Sequence, residues 1–235
     1  MIILTSYVDK GYKKELERTN VFKDIIKVMK SIDRKYNIKF YIVSNLKDIE
    51  ELNDINYTLI DYPRYVWSYV DKIFYSFKMN LEENEEVLWI DFNKFKEYHP
   101  LILNVVNNIY KKDSFLYTVT WNEKAIGMYC VDKEWRPFHS YLEREGIWYK
   151  DIIPLLEQFF FIPNGMSTHD ILRDIELIKT IVDYGSWMVG YPYKTPNGYP
   201  SLGNGEGVVL GYLITKYNLP SGRFSDPSQT SISPL

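Results

Sequence analysis

The stretch from Val87 to Asn93, with the sequence VLWIDFN, decides the expected fold. Its four apolar residues predict a strand buried on both faces of a mostly parallel sheet. Asp91 and Asn93 follow directly, at the carboxyl end of the strand, where open α/β sheets bind ligands. Since alternate strand residues point the same way, we expect the two polar side chains to share one face. Two oxygen-bearing side chains so placed can bind a hard cation or a polyol.

The elements predicted on either side of this strand alternate between strands and helices. Apolar runs predict strands at Met1–Tyr7, Lys39–Ser44, Tyr57–Ile60, Phe115–Thr120 and Phe159–Pro163. Apolar residues at helical spacing predict amphipathic helices that include Phe22, Val70, Ile102, Ile171 and Val209. This order indicates an α/β fold with a single mixed, mostly parallel sheet flanked by helices. The chain has neither a Gly-x-Gly-x-x-Gly turn after the first strand nor a phosphate-binding Gly-Lys-Ser/Thr loop. Dinucleotide dehydrogenases and P-loop enzymes are therefore disfavoured.

The segment from Val87 to Pro100, VLWIDFNKFKEYHP, resembles the metal-site segment of GT-A-type, nucleotide-sugar-dependent glycosyltransferases. In that family an apolar strand ends in Asp-x-Asp, and a short aromatic-containing stretch leads to a proline before the next helix. Asn93 stands where the family has the second Asp. The resemblance implies that Asp91 and Asn93 lie near a Mn²⁺ or Mg²⁺ ion and the donor diphosphate. Because an amide is a weaker ligand than a carboxylate, we expect weak or dispensable metal binding. Without the resemblance, the two residues would predict an ordinary turn.

The same resemblance implies roles for residues before this segment. Thr5, Ser6 and Tyr7, at the end of the first strand, would line the nucleotide base and ribose, with Tyr7 stacking on the base. Lys72 lies on the helix that precedes the Asp91 strand, where family members often direct a basic residue toward the donor phosphates. By position alone, a lysine beside Asp71 and off the apolar stripe is typical of a solvated helix face.

A glycine-rich motif provides a second candidate site. Three alternating glycines, from Gly203 to Gly207, allow the backbone to approach a ligand closely. Apolar residues after the motif predict a helix, with Glu206 at or just before its first turn. The motif resembles the late segment of GT-A enzymes in which a carboxylate heads a helix beside the donor sugar. Glu206 would then act as the catalytic base or position the donor. The alternative is a carboxylate that only stabilises the helix dipole.

The second half of the chain is expected to hold the acceptor. Trp121 and Trp187 are candidate stacking residues, since the apolar face of a sugar packs on aromatic rings. Glu157 precedes the predicted strand at Phe159, and an acidic residue near this point faces the acceptor in several glycosyltransferase groups. Each tryptophan, taken individually, also fits an ordinary core position.

Composition narrows the class of protein. A chain of 235 residues can form one domain with a full core. Its net charge of −3 predicts no strong non-specific nucleic-acid binding. The single cysteine, Cys130, excludes an intrachain disulfide and fits a reducing compartment. The sequence shows neither a bilayer-spanning apolar run nor a basic leader followed by an apolar core. A cytoplasmic protein is therefore expected.

The residues and the resemblance together predict a GT-A-like, Rossmann-related glycosyltransferase domain over residues 1–220. The nucleotide-sugar-binding half would be 1–110 and the acceptor-side half 111–220. Residues 221–235, rich in Ser and Pro, predict a flexible tail. The enzyme would move a sugar from a nucleotide-sugar donor, expected to be UDP-linked, to an acceptor hydroxyl. Glycan, protein, metabolite and modified-nucleobase acceptors all stay open.

Two alternatives from other classes remain. A catalytically silent module of the same fold would bind a glycan or a partner, and Asn93 would then mark a lost metal site. A nucleotidyltransferase has a related sheet and also uses metal-bound carboxylates. It would normally carry a glycine-rich basic loop after the first strand, and the residues from Val8 to Gly11 are too poor in glycine for that loop.

Overall fold

A computed structural model describes residues 1–7, 21–36, 38–47, 49, 52–62, 69–118, 136–148, 151–152, 155, 158–183 and 205–229. Within these ranges the strands are β1 (Ile2–Ser6), β2 (Lys39–Ser44), β3 (Tyr57–Asp61), β4 (Val87–Ile90), β5 (Phe115–Tyr117), β6 (Phe159–Ile162) and β7 (Ser221–Arg223). The helices are α1 (Val21–Tyr36), α2 (Tyr69–Glu82), α3 (His99–Val106), α4 (Arg136–Arg144), α5 (His169–Asp183) and α6 (Gly205–Tyr217). Of the helices described, none is long and apolar enough to cross a membrane.

The described strands form one sheet in the order β3-β2-β1-β4-β6-β5-β7. Strand β4 pairs in parallel with β1, with Leu4 opposite Trp89, and antiparallel with β6, with Ile90 opposite Phe159. Strand β6 is also antiparallel to β5, while the remaining neighbours in the sheet run parallel. The predicted α/β fold, with a mixed and mostly parallel sheet flanked by helices, is therefore confirmed.

The four residues of β4 are buried and divide between the two faces of the sheet, as strand alternation requires. Val87 and Trp89 pack into a core with residues of α2, α4, α5 and α6. Leu88 and Ile90 pack into a second core with residues of α1 and α3. A strand covered on both faces needs apolar residues at every position, which explains the uninterrupted run in the sequence.

Helix α2 is buried around most of its surface. It packs against the sheet through β1, β4 and β6, and against both α5 and α6. Its apolar residues Val70, Ile73 and Phe77 are buried, as their spacing predicts, but so are the charged residues Asp71 and Lys72. The first turn of α2 therefore brings two charges into the interior.

The predicted flexible tail is wrong for the residues that the structure describes. Ser221–Arg223 form β7, which pairs in parallel with β5. Phe224 is buried, and its ring packs edge-on against Tyr110 and Phe159 at centroid distances of 5.0 and 5.3 Å. The Ser- and Pro-rich composition misled the prediction because this short strand obtains its order from β5 and the aromatic core. Residues 230–235 lie outside the described ranges.

Replacing Phe224 by Ala tests this correction. We expect the free energy of unfolding to fall by about 3–5 kcal/mol, the usual cost of removing a buried phenyl ring. Chemical denaturation of the full chain measures the change, and Arg223→Ala serves as the control because Arg223 is exposed. A Phe224→Ala variant as stable as the parent would restore the flexible-tail interpretation.

Candidate functional site

Asp91 lies where the central strand β4 ends. Its carboxylate oxygen Oδ1 accepts hydrogen bonds from Lys72 Nζ at 3.1 Å and from Trp89 Nε1 at 2.9 Å. Its backbone N–H donates to Gln158 O at 2.9 Å, which continues the β4–β6 pairing by one residue. The Asp91 side chain remains 25% exposed. One carboxylate oxygen is therefore held by the protein while the group as a whole still reaches solvent.

Lys72 is buried, unlike a lysine on a solvated helix face. Its side chain is only 4% exposed, and Nζ lies 5.9 Å from the centroid of the Trp89 ring. The first turn of α2 stands above the carboxyl end of β4, so the lysine reaches Asp91 from within the fold. Partners are essential for a cation so placed, because burying an unpaired charge is costly. Lys72 and Asp91 thus form one unit, which the sequence spacing of 19 residues does not indicate.

Asn93 does not share a strand face with Asp91. The strand ends at Ile90, and Phe92–Lys94 form a 3₁₀ turn in which Asn93 is exposed. In a 3₁₀ turn, residues two apart point in directions about 120° apart, whereas in a strand they point the same way. The expectation of a common face is wrong for this reason. Whether Asn93 contacts a ligand remains a prediction.

The side chains at the end of β1 point alternately to the two faces of the sheet. Ser6 follows Leu4 by two residues, and Leu4 pairs with Trp89, so strand alternation assigns Ser6 to the α2 side of the sheet, the side of Trp89. Thr5 and Tyr7 belong to the α1 side. Thr5 is fully buried, and its hydroxyl makes no hydrogen bond with any described residue. In this conformation its side chain cannot line a ligand.

Tyr7 is part of an aromatic cluster rather than an isolated ring. Its centroid lies 5.4 Å from that of Phe22 on α1 and 4.9 Å from that of Phe92 in the 3₁₀ turn. Its backbone is also fixed, since Tyr7 N–H donates to Val43 O at 2.9 Å and Ser44 Oγ donates to Tyr7 O at 2.6 Å. The ring is only partly exposed, so a base could stack on it only from the solvent side.

The first turn of α6 is connected to Asp91 through one short segment of the chain. Leu155 N–H donates to Gly207 O at 3.1 Å, and Gln158 O accepts from Asp91 N–H at 2.9 Å. Leu155 and Gln158 are three residues apart, which limits their separation to about 11 Å. Glu206 is the second residue of α6, as the sequence predicts, although the structure describes only its backbone. Its catalytic role stays a prediction.

The acceptor candidates are three residues of the second half of the chain. Trp121, Glu157 and Trp187 lie outside the described residues. Their roles stay predictions from the sequence.

Among the described residues, the donor set around Asp91 fits at most a weakly held divalent cation. Described contacts of the Asp91 carboxylate use Oδ1 only, which leaves Oδ2 as a potential ligand, and Asn93 offers a neutral amide oxygen. Among the residues that the structure describes, no three or more His, Cys, Asp or Glu side chains group closely enough to hold a metal ion. Lys72 adds a positive charge beside the Asp91 carboxylate, which lowers the attraction for a cation.

A second buried cluster of charged residues lies next to Lys72 in the first turn of α2. Asp71, next to Lys72, is fully buried and accepts hydrogen bonds from Tyr62 Oη and Lys179 Nζ. These contacts tie the first turn of α2 to the end of β3 and to the C-terminal part of α5. No sequence pattern indicates this cluster, because its members are distant in the chain: Tyr62 follows β3, Asp71 lies on α2 and Lys179 on α5. The sequence offers only a pair of opposite charges, Asp71 and Lys72, between the apolar residues Val70 and Ile73.

Comparisons with known proteins find structural likeness only. No protein-family model matches the chain, and no curated protein gives a significant match. The chain is similar to a crystal structure of the galactosyltransferase LgtC in complex with donor and acceptor sugar analogs. The TM-score is 0.40 and the identity 9%, over 95% of this chain and 73% of that chain. It is similar to an active-site mutant of LgtC with the same TM-score and identity, over 95% of this chain and 72% of that chain. At such low similarity, the function has to be argued from the site itself.

Proposed function

We propose that the chain is a GT-A-like glycosyltransferase that uses a nucleotide-sugar donor, expected to be UDP-linked. The observation that carries the proposal is Asp91, a partly exposed carboxylate at the carboxyl end of the central strand, with one oxygen held by Lys72 and Trp89. Ligands of open α/β sheets bind at this edge. A fixed carboxylate beside a buried lysine can orient a polar, anionic ligand without first having to order itself.

Each candidate residue has a role in this proposal. Ser6 and Tyr7 would line the nucleoside. Oδ2 of Asp91 would contact the donor, either through a hydroxyl group or through a cation. Mn²⁺ or Mg²⁺, when bound, would be held by Asp91 Oδ2 and the Asn93 amide, and would neutralise charge on the leaving nucleoside diphosphate.

The remaining candidates act on the sugar. Glu206, in the first turn of α6, would orient the donor sugar or deprotonate the acceptor hydroxyl. Trp121, Glu157 and Trp187 would contact the acceptor, whose identity stays open. An acceptor-side site in residues 111–220 and a cytoplasmic location belong to the same proposal.

Nucleotide binding tests the proposal. The melting temperature of the full chain is measured with UDP, GDP, ADP, CDP and their common sugar conjugates, each with Mn²⁺ and with EDTA. A ligand at about a hundred times its Kd stabilises the folded state by about 2.7 kcal/mol. For a chain of this size, we expect the matching nucleotide to raise the melting temperature by about 5–10 °C. Equal melting temperatures with every ligand would contradict the proposal.

Turnover distinguishes the enzyme from a silent module of the same fold. The nucleotide sugar that binds is incubated with the protein, and release of free nucleoside diphosphate is followed over time. Slow hydrolysis is expected even without the natural acceptor, because water can take the place of the acceptor hydroxyl. Binding without any release would favour the glycan- or partner-binding module.

A further inference from the structure

The Asp91 site contains its own counter-charge. Lys72 Nζ lies 3.1 Å from Asp91 Oδ1, and the lysine side chain is 4% exposed. An uncompensated carboxylate would repel an incoming diphosphate, whereas a carboxylate paired with an ammonium group has no net formal charge. Lys72 also lies in the first turn of α2, at the positive end of the helix dipole. Among the described residues, this pair gives an incoming anion a carboxylate whose charge is already balanced.

A divalent cation and Lys72 would compete for the same carboxylate. Oδ1 already accepts two hydrogen bonds, so a cation would have to use Oδ2, within a few ångströms of the ammonium group. Two positive charges at that distance repel each other, and partial burial increases the repulsion. The neutral, exposed Asn93 can offset little of it. The charge that a cation would bring to this site is therefore already supplied by a side chain.

We propose that Lys72 replaces the divalent cation, so that the chain binds nucleoside diphosphates without a metal ion. The inference rests on the proposed function, because it concerns the same site. Lys72 acts through Asp91: it cancels the charge of the carboxylate and keeps the group oriented, and it needs no direct contact with the diphosphate.

The first test compares the parent chain with and without metal. Calorimetric titration with UDP, GDP, ADP and CDP is run in EDTA and again in Mn²⁺. For the nucleotide that binds, we expect the two Kd values to agree within about threefold, which is less than 1 kcal/mol. Binding in Mn²⁺ alone would overturn the inference and leave the proposed function standing. Absence of binding under both conditions would overturn the proposed function, and the inference with it.

The second test removes the lysine charge. In Lys72→Met the Asp91 carboxylate loses its counter-charge, and we expect Kd in EDTA to rise by on the order of ten- to a hundredfold, with recovery in Mn²⁺. Lys96→Met is the matched control, because Lys96 follows the adjacent 3₁₀ turn but pairs with Asp24 at 2.6 Å. The control should bind as the parent does. A Lys72→Met variant that binds equally well in EDTA would overturn the inference.

A double substitution distinguishes charge compensation from a general packing role. Lys72→Met combined with Asp91→Asn removes both charges, so nucleotide binding in EDTA should return toward the parent value. A packing role for Lys72 predicts no such rescue. If Lys72→Met does not fold, Lys72→Arg preserves the charge and should bind equally with and without Mn²⁺. A metal requirement in the arginine variant would count against the inference.

Discussion

Asp91→Asn is expected to lower nucleotide-sugar turnover by about 10²–10³-fold, the range seen when one electrostatic contact to a developing charge is removed. The amide keeps an oxygen that can accept from Lys72 and Trp89, so the local geometry is retained. The substitution replaces the second carboxylate oxygen by an amide NH₂ group, which donates hydrogen bonds. The variant thereby loses the negative charge that orients the nucleotide sugar or a cation. Release of nucleoside diphosphate measures the effect, and circular dichroism confirms the fold.

Asp61→Asn is the matched control for this experiment. Asp61 ends β3 as Asp91 follows β4, at the same edge of parallel strands, but it is exposed. Its replacement should leave turnover unchanged. Full activity of Asp91→Asn would show that the Asp91 carboxylate takes no part in catalysis. Asp91→Ala should in addition lower stability, because it removes the carboxylate from the ion pair with the buried Lys72.

Asp71→Ala is expected to cost about 3–5 kcal/mol of unfolding free energy, because it leaves Lys179 and the Tyr62 hydroxyl without their buried carboxylate partner. For a chain of this length, that loss corresponds to a fall of about 6–20 °C in melting temperature. Differential scanning calorimetry of the full chain measures it. The size of the effect follows from the complete burial of Asp71.

An exposed ion pair on α5 provides the comparison for Asp71. Asp170 pairs with Arg173 at 2.9 Å, with side chains 66% and 75% exposed. Asp170→Ala should change stability by no more than about 1 kcal/mol, because solvent screens such pairs. Equal losses for Asp71→Ala and Asp170→Ala would show that the buried cluster contributes no more than a surface pair.

Local patterns were sufficient to locate most described elements. The predicted strand at Lys39–Ser44 has the same bounds in the structure, and the strand that ends before Asp91 is buried on both faces as expected. Such patterns succeed because each depends on a few neighbouring residues and on which side of the chain meets the core. Strand β7 escaped prediction because three residues have no pattern of their own, and only pairing with β5 orders them.

The sequence predicted only those parts of the candidate site that depend on neighbouring residues. Asp91 follows an apolar strand, so its position at a ligand-binding edge can be read from the sequence. The conformation at Asn93 could not be read from the sequence, because the residues there are equally compatible with a 3₁₀ turn and with a continued strand. The burial of Lys72 could not be predicted from the sequence either. A helical stripe shows which side faces the sheet, but not that other helices cover the opposite side.

By itself, the sequence determined the α/β class, the order of the elements and the position of Asp91, because hydrophobic periodicity and chain order are local properties. Two features arise only in the folded chain: Lys72 and Trp89 hold one oxygen of Asp91, and Asp71 joins α2 to α5. These contacts join residues that are distant in the chain. They arise from strand register and helix packing, which form only when the separate elements come together around one sheet.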